Sequence, residues 1–572
     1  MTPPAPSRAD GLIAAHQATL GPDDRARGAV YTPRPVADVL VGVALAGLGE
    51  RGGPPGSFPA VCDPAVGGGT FLLAAADALV ARGRPPVEVV GELLWGADVD
   101  PAAVAVARRA VAAWLEDQRD EAAGAGARRA ALAALDEHVV VADSLAAPVD
   151  VVWPRLGGRR VATVVGNPPF QDQLATATAR SAPRAAELRA RLGDVVGGYT
   201  DSAALFLVAA LDLVAPGGRV VLVQPQSVLA GRDARATRAA VAARTRIEGL
   251  WVAGDHAFPP ARVPAVAVVA RRPGLDAAGG VGVADRLARW LGPDVAPAPA
   301  REVPAAVAAE AAAGGAWSSL VVDLLGVPPS GLPAEVVGAG PEPHPRSLAS
   351  LATATAGFRD EYYGVAPFVR EATAGEAALE DRASALVTSG AIAPGRSTWG
   401  ERPIRFARRR WSRPVVDVEA VRAAGGRLAA WADRVLCPKV VLATQTRVLE
   451  AAVDREGSWW PSVPVIAVVP HDTTDLDRVA AVLLAPPVSA WAHERTAGAA
   501  LSSGALKLAA RQAAAVPLPV DEEAWWAAAA LVPALADPGP AGRAALHELG
   551  AHMVTAYRAG DDVLAWWRHR LG

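Results

Sequence analysis

The chain has 572 residues, 51% of them apolar, and a formal net charge of -3. This length predicts two to four domains with ample core. No charge-free apolar stretch of roughly 18 residues and no charged, apolar, small-residue leader occurs, so a cytoplasmic protein working at the nucleoid is expected, neither membrane-spanning nor secreted. Two distant cysteines, Cys62 and Cys437, exclude a disulfide framework or zinc finger, and the nine histidines show no metal-ligand spacing.

In chain order, residues 1–27 form a polar lead-in with a loose helix. Val61-Cys62-Asp63-Pro64-Ala65-Val66-Gly67-Gly68-Gly69-Thr70-Phe71-Leu72 reads as strand, acid, glycine loop and helix. That is a nucleotide-type site at the carboxyl end of a parallel strand. The glycines let a ligand approach the backbone, and Asp63 can bind a cationic amino group. Leu94-Trp95-Gly96-Ala97-Asp98 reads as a second strand ending in acid, where a carboxylate commonly holds two ribose hydroxyls. Val139-Val140-Val141-Ala142-Asp143 reads as a third, with Asp143 placed to accept from an adenine amino group. No phosphate-binding lysine follows these loops. A cofactor with an adenosine but no phosphates therefore fits better than a dinucleotide.

Val161-Ala162-Thr163-Val164-Val165-Gly166 predicts a buried strand ending in a tight turn, followed by Asn167-Pro168-Pro169-Phe170. These residue types suit methylation of a planar amine, whose lone pair is delocalised and weakly nucleophilic. The Asn167 oxygen and a nearby carbonyl can accept the two amine hydrogens and localise the pair. Pro168 and Pro169 stiffen the loop and remove donors. Phe170 can cover the flat face of the substrate. A plain proline turn with a core Phe fits the same four residues.

Strands alternating with helices over 28–271 predict an α/β, doubly wound, Rossmann-like domain. Residues 272–345, rich in Pro, Gly and Ala, read as a connecting region, with 317–325 a strand packed back on one domain. Residues 346–520 read as a second, mixed α+β domain, and 521–572 as a helical tail whose Trp525, Trp526, Trp566 and Trp567 suit packing. Within the second domain, Arg402-Pro403-Ile404-Arg405-Phe406-Ala407-Arg408-Arg409-Arg410-Trp411-Ser412-Arg413 carries six arginines, two aromatics and no acid. Arg405, Arg408, Arg409 and Arg410 suit phosphate contacts or a groove. A solvated basic surface is the plainer reading.

Taken in order, these motifs resemble the adenine-specific (N6) DNA methyltransferases of restriction-modification systems. The resemblance implies an S-adenosyl-L-methionine-dependent catalytic domain followed by a target recognition domain. Gly28-Ala29-Val30-Tyr31-Thr32-Pro33 is similar to the family's N-terminal cofactor stretch, with Thr32 and Pro33 on the methionine part. Asp63, Pro64, Ala65, Gly67 and Gly69 fall on its glycine loop, Asp98 on its ribose acid and Asp143 on its cofactor-adenine partner. Asn167, Pro168, Pro169 and Phe170 fall on its catalytic tetrapeptide. Ala257-Phe258-Pro259-Pro260 resembles the segment whose Phe lies on the other face of the target adenine. The chain departs from the family at Val66 and Gly68, where Cys and Ser are frequent, and at Phe170, where Tyr is also common.

In the second domain, Lys439-Val440-Val441-Leu442-Ala443-Thr444-Gln445-Thr446-Arg447 is similar to the family's core strand. There a polar face could meet DNA, unless it is a plain edge strand. The stretch 475–491 resembles its helix, and Leu506-Lys507-Leu508 with Val516-Pro517-Leu518-Pro519 its closing strand. No nuclease constellation is visible, and 27 residues before the cofactor stretch are too few for one. The expected partners are double-stranded DNA and a separately encoded restriction endonuclease or defence subunit. Two alternatives stand beside this reading. One is a glutamine-amide methyltransferase, which shares the Asn-Pro-Pro-aromatic loop. The other is a DNA-binding module on a non-catalytic methyltransferase scaffold.

Overall fold

The computed structural model describes residues 7–21, 32–48, 58–118, 124–170, 181–254, 264–274, 280–332, 346–357, 359–373, 383–498 and 504–571. The chain divides into two compact units, Met1–Leu324 and Leu325–Gly572.

The first unit is built on one nine-stranded sheet: β1 (Phe58–Asp63), β2 (Leu94–Asp98), β3 (Val139–Val141), β4 (Val161–Gly166), β5 (Val214–Pro225), β6 (Arg246–Val252), β7 (Ala265–Arg271), β8 (Gly282–Leu291) and β9 (Ala296–Glu302). The order is β3-β2-β1-β4-β5-β7-β6-β8-β9. β3, β2, β1, β4 and β5 run parallel, and β7 runs antiparallel between β5 and β6. β1, β2 and β4 are buried along most of their length, as strands covered by helices on both faces must be, while β3 at the sheet's edge buries only Val139. The crossover helices start on local signals. Asp100 caps Pro101–Asp117 by accepting from Ala102 N at 2.8 Å, with proline in the first turn. Asp201 caps Ser202–Leu213 in the same way. After β1 the chain builds outward through β2 and β3 on one side, then returns to place β4 on the other. The β1/β4 boundary is thus a topological switch point, where the loops at the carboxyl ends diverge and open a crevice.

Two expectations for 272–345 are corrected. This stretch is not a connecting region alone: β8 pairs in parallel with β6, β9 closes the far edge, and the helix Ala305–Ala312 follows. The strand expected over 317–325 is two 3-10 turns, Trp317–Leu320 and Val322–Leu325. Trp317 is fully buried and donates its indole N–H to Ala311 O at 3.1 Å, so the apolar run packs as a plug without joining a sheet.

The second unit contains β10 (Ala352–Ala356), β11 (Val369–Glu371), β12 (Ala383–Val387), β13 (Ile392–Ala393), β14 (Arg396–Ser397), β15 (Ile404–Phe406), β16 (Arg409–Trp411), β17 (Pro414–Asp417), β18 (Lys439–Leu442), β19 (Ala451–Asp454), β20 (Trp459–Pro461) and β21 (Ile466–Pro470). They form a sheet β10-β21-β18-β19, a sheet β11-β17-β12-β20, and the pairs β13-β14 and β15-β16. The helix expected over 475–491 is broken into Leu476–Leu484 and Pro486–Thr496, because Pro486 and Pro487 can open a helix but not continue one. The expected closing strand is a single bridge, Ser347 to Pro517. The terminal helices Glu522–Leu531, Pro540–Tyr557 and Asp561–Leu571 are not a loose tail: Trp525, Tyr557 and Trp567 share one core with Leu442 and Ile466. Trp526 is the exception, 54% exposed. Among the described residues, no helix is long and apolar enough to cross a membrane.

Candidate active site

The ends of β1, β2 and β4 bring the sequence-predicted residues to one edge of the first unit's sheet. Asp63 closes β1 and is 1% exposed. Its Oδ1 accepts from Ala65 N at 3.0 Å, and no cation pairs with it among the described residues. Burial pushes its carboxyl up to about 8, the Ala65 N–H opposes the shift, and nearby Asp98 adds to it. Asp98 closes β2 and is held by two backbone donors, Gly67 N to Oδ2 at 2.9 Å and Asp100 N to Oδ1 at 3.0 Å. Its carboxyl is also raised, chiefly by burial.

The glycine loop wraps between these acids. Val66 N donates to Ala97 O at 2.9 Å, tying the loop to the end of β2. Gly69, at φ 95°, caps the helix Thr70–Val80, and a side chain there would crowd Ala107 Cα at 3.1 Å. Pro64 O accepts from Ser144 Oγ. The helix start directs unsatisfied N–H groups and a positive dipole end at the crevice.

β4 delivers the catalytic candidates. Gly166, its last residue, has φ 155°, and a Cβ there would collide with Asp63 Oδ1. This backbone therefore lies directly against the β1 carboxylate, which a side chain would forbid. Asn167 follows immediately, half-buried, with its Oδ1 shielded from solvent. Phe170 packs partly against the first unit's core. Thr32 is 4% exposed, and its Oγ1 has no hydrogen-bond partner among the described residues. Pro33 precedes the helix Arg34–Leu45. Tyr31 and Phe258 lie outside the described residues.

Asp143 differs from the other two acids. Oδ1 accepts from Leu145 N at 3.1 Å and Ala146 N at 3.0 Å, while Arg184 Nη2 lies 2.5 Å from Oδ2. Arg184 and Gly166 escaped sequence reasoning. The guanidinium reaches Asp143 from 41 positions along the chain with no local signal, whereas the glycine at a strand end was a visible cue. A pocket of about 590 Å³ lies elsewhere, at the amino ends of β4 and β5, lined by Arg160, Arg191, Arg244 and Arg272 among others. Arg244 and Arg160 are paired with Asp212 and Asp150 at 2.7 and 3.4 Å. That pocket is at the opposite end of β4 from Asn167.

In the second unit, Arg405, Arg408 and Arg410 are exposed on the β15-β16 hairpin, while Arg409 stacks over Trp411 at 4.6 Å. A strand does begin at Lys439, but both readings of its exposed side are corrected. β18 is buried at every residue and sits between β21 and β19, so it is neither an edge strand nor one with a polar face. Lys439 is fully buried in an ion pair with Asp454.

Residues 21–285 match the model of the family described as N-6 DNA Methylase. The chain is similar in fold to the ATP-dependent Type ISP restriction-modification enzyme LlaBIII bound to DNA, at 9% identity and TM-score 0.51, covering 93% of this chain and 41% of that one. It is likewise similar to the protein of a DrdV-DNA complex, at 12% identity and TM-score 0.52, covering 92% and 59%. A modification subunit of a type I restriction enzyme from Vibrio vulnificus YJ016 matches at 17% identity and TM-score 0.35, covering 49% and 50%, so the chain spans half that subunit's length. No curated protein sequence matches it.

Proposed function

We propose that the protein is a site-specific DNA adenine-N6 methyltransferase, a reading supported by the match of residues 21–285 to the N-6 DNA Methylase model. The observation that carries the proposal is the packing of Gly166 on Asp63. It leaves Asn167, the proposed amine-polarising residue, next in the chain to a backbone packed on a carboxylate that has no cation among the described residues.

The chemistry of the strand ends fits S-adenosyl-L-methionine. The cofactor carries an ammonium, a ribose diol and no phosphate, and among the described residues the site offers the buried Asp63 and the half-buried Asp98 without cationic partners, an orphan Thr32 hydroxyl and no lysine. Asp63 would hold the ammonium, Asp98 the ribose and Thr32 with Pro33 the methionine chain. Asp143 would face the cofactor's adenine while Arg184 occupies its Oδ2. When bound, the cofactor supplies an electrophilic methyl group on sulfur. Asn167 Oδ1 would accept a hydrogen from the target N6 amine and localise its lone pair for attack on the methyl carbon, whose bond to sulfur would break with its electron pair left on sulfur, the surplus N6 proton passing to water. Pro168 and Pro169 hold the loop in shape, and Phe170 stacks on the adenine. An amine inside a duplex is out of reach, so the base is flipped out, at a cost of a few kcal/mol that stacking offsets. Phe258 covers its other face. Residues 346–520 act as the target recognition domain. A separately encoded nuclease would complete a restriction-modification or defence system.

The test is transfer of labelled methyl to plasmid DNA and, in parallel, to a translation release factor. Labelled DNA alone supports the proposal, and labelled protein alone replaces it with the glutamine-amide reading. Cofactor binding without any transfer points to a non-catalytic scaffold. A 2-aminopurine at the target position, located by single-molecule sequencing, should brighten on binding, and less so with Phe170→Ala.

A further inference from the structure

The arginine run of the second unit is not one uniform stripe. β15 and β16 pair with Ile404 opposite Trp411, Arg405 opposite Arg410 and Phe406 opposite Arg409. Ile404, Phe406 and Trp411 are buried, so they root the hairpin in the unit's core. Arg405 and Arg410 therefore share the opposite, exposed face. Two like charges directly across a ladder repel, and among the described residues no carboxylate pairs with either. The turn between the strands is Ala407-Arg408, with φ 48° and 63°. Both central positions of this tight turn are left-handed, where Gly or Asn normally stands. The strain is held from below: Ala407 N donates to Tyr362 Oη at 3.0 Å, and Trp411 Nε1 donates to Phe406 O at 3.1 Å. The result is a rigid, acid-free ribbon with Arg408 at its tip. Arg409, by contrast, is stacked over Trp411, and Arg413 over Trp399 at 5.1 Å.

Strain and unrelieved like charge are retained where a ligand uses them. Two strands roughly 5 Å apart fit a major groove about 12 Å wide, and a polyanion relieves the repulsion. We propose that the β15-β16 hairpin enters the major groove of duplex DNA. Arg408 reads guanine edges through N7 and O6, while Arg405 and Arg410 bind phosphates. This specifies, within the DNA-methyltransferase reading on which it rests, the residue that sets base preference.

The experiment titrates the full chain with a mixed-sequence duplex and with the same duplex containing 7-deazaguanine, across a salt series. The parent should bind the deaza duplex at least about fivefold more weakly, since N7 is half of the arginine–guanine fork. Arg408→Lys keeps the charge but loses the fork. It should keep the salt slope and lose the difference between duplexes. Arg405→Gln/Arg410→Gln should weaken both duplexes alike and lower the slope by about 2, at roughly 0.9 per phosphate contact. Arg409→Ala should change neither. Thermal melting identifies any variant that fails to fold; Arg408→Lys keeps the length and charge of a surface side chain. The inference is overturned if the parent does not distinguish the duplexes, or if the Arg405/Arg410 double variant keeps the parental slope. Methyl transfer with an unaffected hairpin sinks only this inference, whereas the hairpin effects without any methyl transfer sink only the proposed reaction.

Discussion

Asp63 in the first unit and Asp454 in the second are both buried carboxylates at strand ends, 1% and 2% exposed, yet they are held differently. Asp454 is fully satisfied: Lys439 pairs with it, and Ser458 N and Trp459 N donate at 3.1 and 2.9 Å. Asp63 has one backbone donor and no cation among the described residues. The first arrangement is complete within the fold, whereas the second carries an unbalanced burial cost that a cationic ligand would relieve. On the proposed reading, a buried acid marks a binding site by lacking a counter-charge, not by burial itself.

Breaking the pair in the second unit should have the largest effect. Lys439→Met strands a buried carboxylate and should cost about 3–5 kcal/mol of stability. Denaturant unfolding checks it, and adding Asp454→Asn should restore part of the loss. Asp63→Asn should leave melting unchanged or raised, because it removes the cost of protonating a buried carboxyl that no cation balances among the described residues. Equal destabilisation by the two substitutions would erase the contrast.

The next effect is catalytic. Asn167→Ala should lower methyl transfer by roughly a hundred- to thousand-fold, the magnitude of one lost preorganised hydrogen-bonding group. Cofactor affinity should hardly change, since the oxygen's proposed partner is the target amine. Near-parental turnover would remove Asn167 from its role. Asp98→Ala should instead weaken cofactor binding by about 1.5–3 kcal/mol, the loss of a charge-assisted hydrogen bond, measurable by calorimetry. Unchanged affinity would dismiss Asp98 as the ribose acid.

The smallest effect is on pH. Asp63 has its folded-state pKa raised to about 8 from an ordinary 3.8. Between these values the folded protein holds a proton that the unfolded chain has released, so this group makes stability fall as pH rises through the window. Binding an ammonium requires the ionised form. Cofactor affinity should therefore rise by up to about tenfold per pH unit below 8, with proton release, and level off above it. Asp63→Asn should flatten both slopes. A pH-independent affinity in the parent protein would separate Asp63 from the cofactor.

The strand-turn-helix units of the first domain were legible because each is written locally: an apolar run, an acid, glycines, then a helix start. Asp63, Asp98, Gly67 and Asn167 could be singled out on that basis, and the sheet edge brings them together. The second unit was legible only as composition. The run around Arg405 announced positive charge, but only strand pairing separates outward Arg405 and Arg410 from stacked Arg409. The strand at Lys439 looked capable of showing a polar face until Asp454 was found across the ladder.

By itself, the sequence determined the local geometry of the glycine loop, the Asn167 turn and the order of the strands that carry them, since backbone preferences act over a few residues. Tertiary structure alone decided which charges are balanced. Lys439 with Asp454 and Arg184 with Asp143 are joined across 15 and 41 positions, and among the described residues Asp63 is left without a cation. Charge compensation acts through space between groups that folding brings together, and no local pattern along the chain records it.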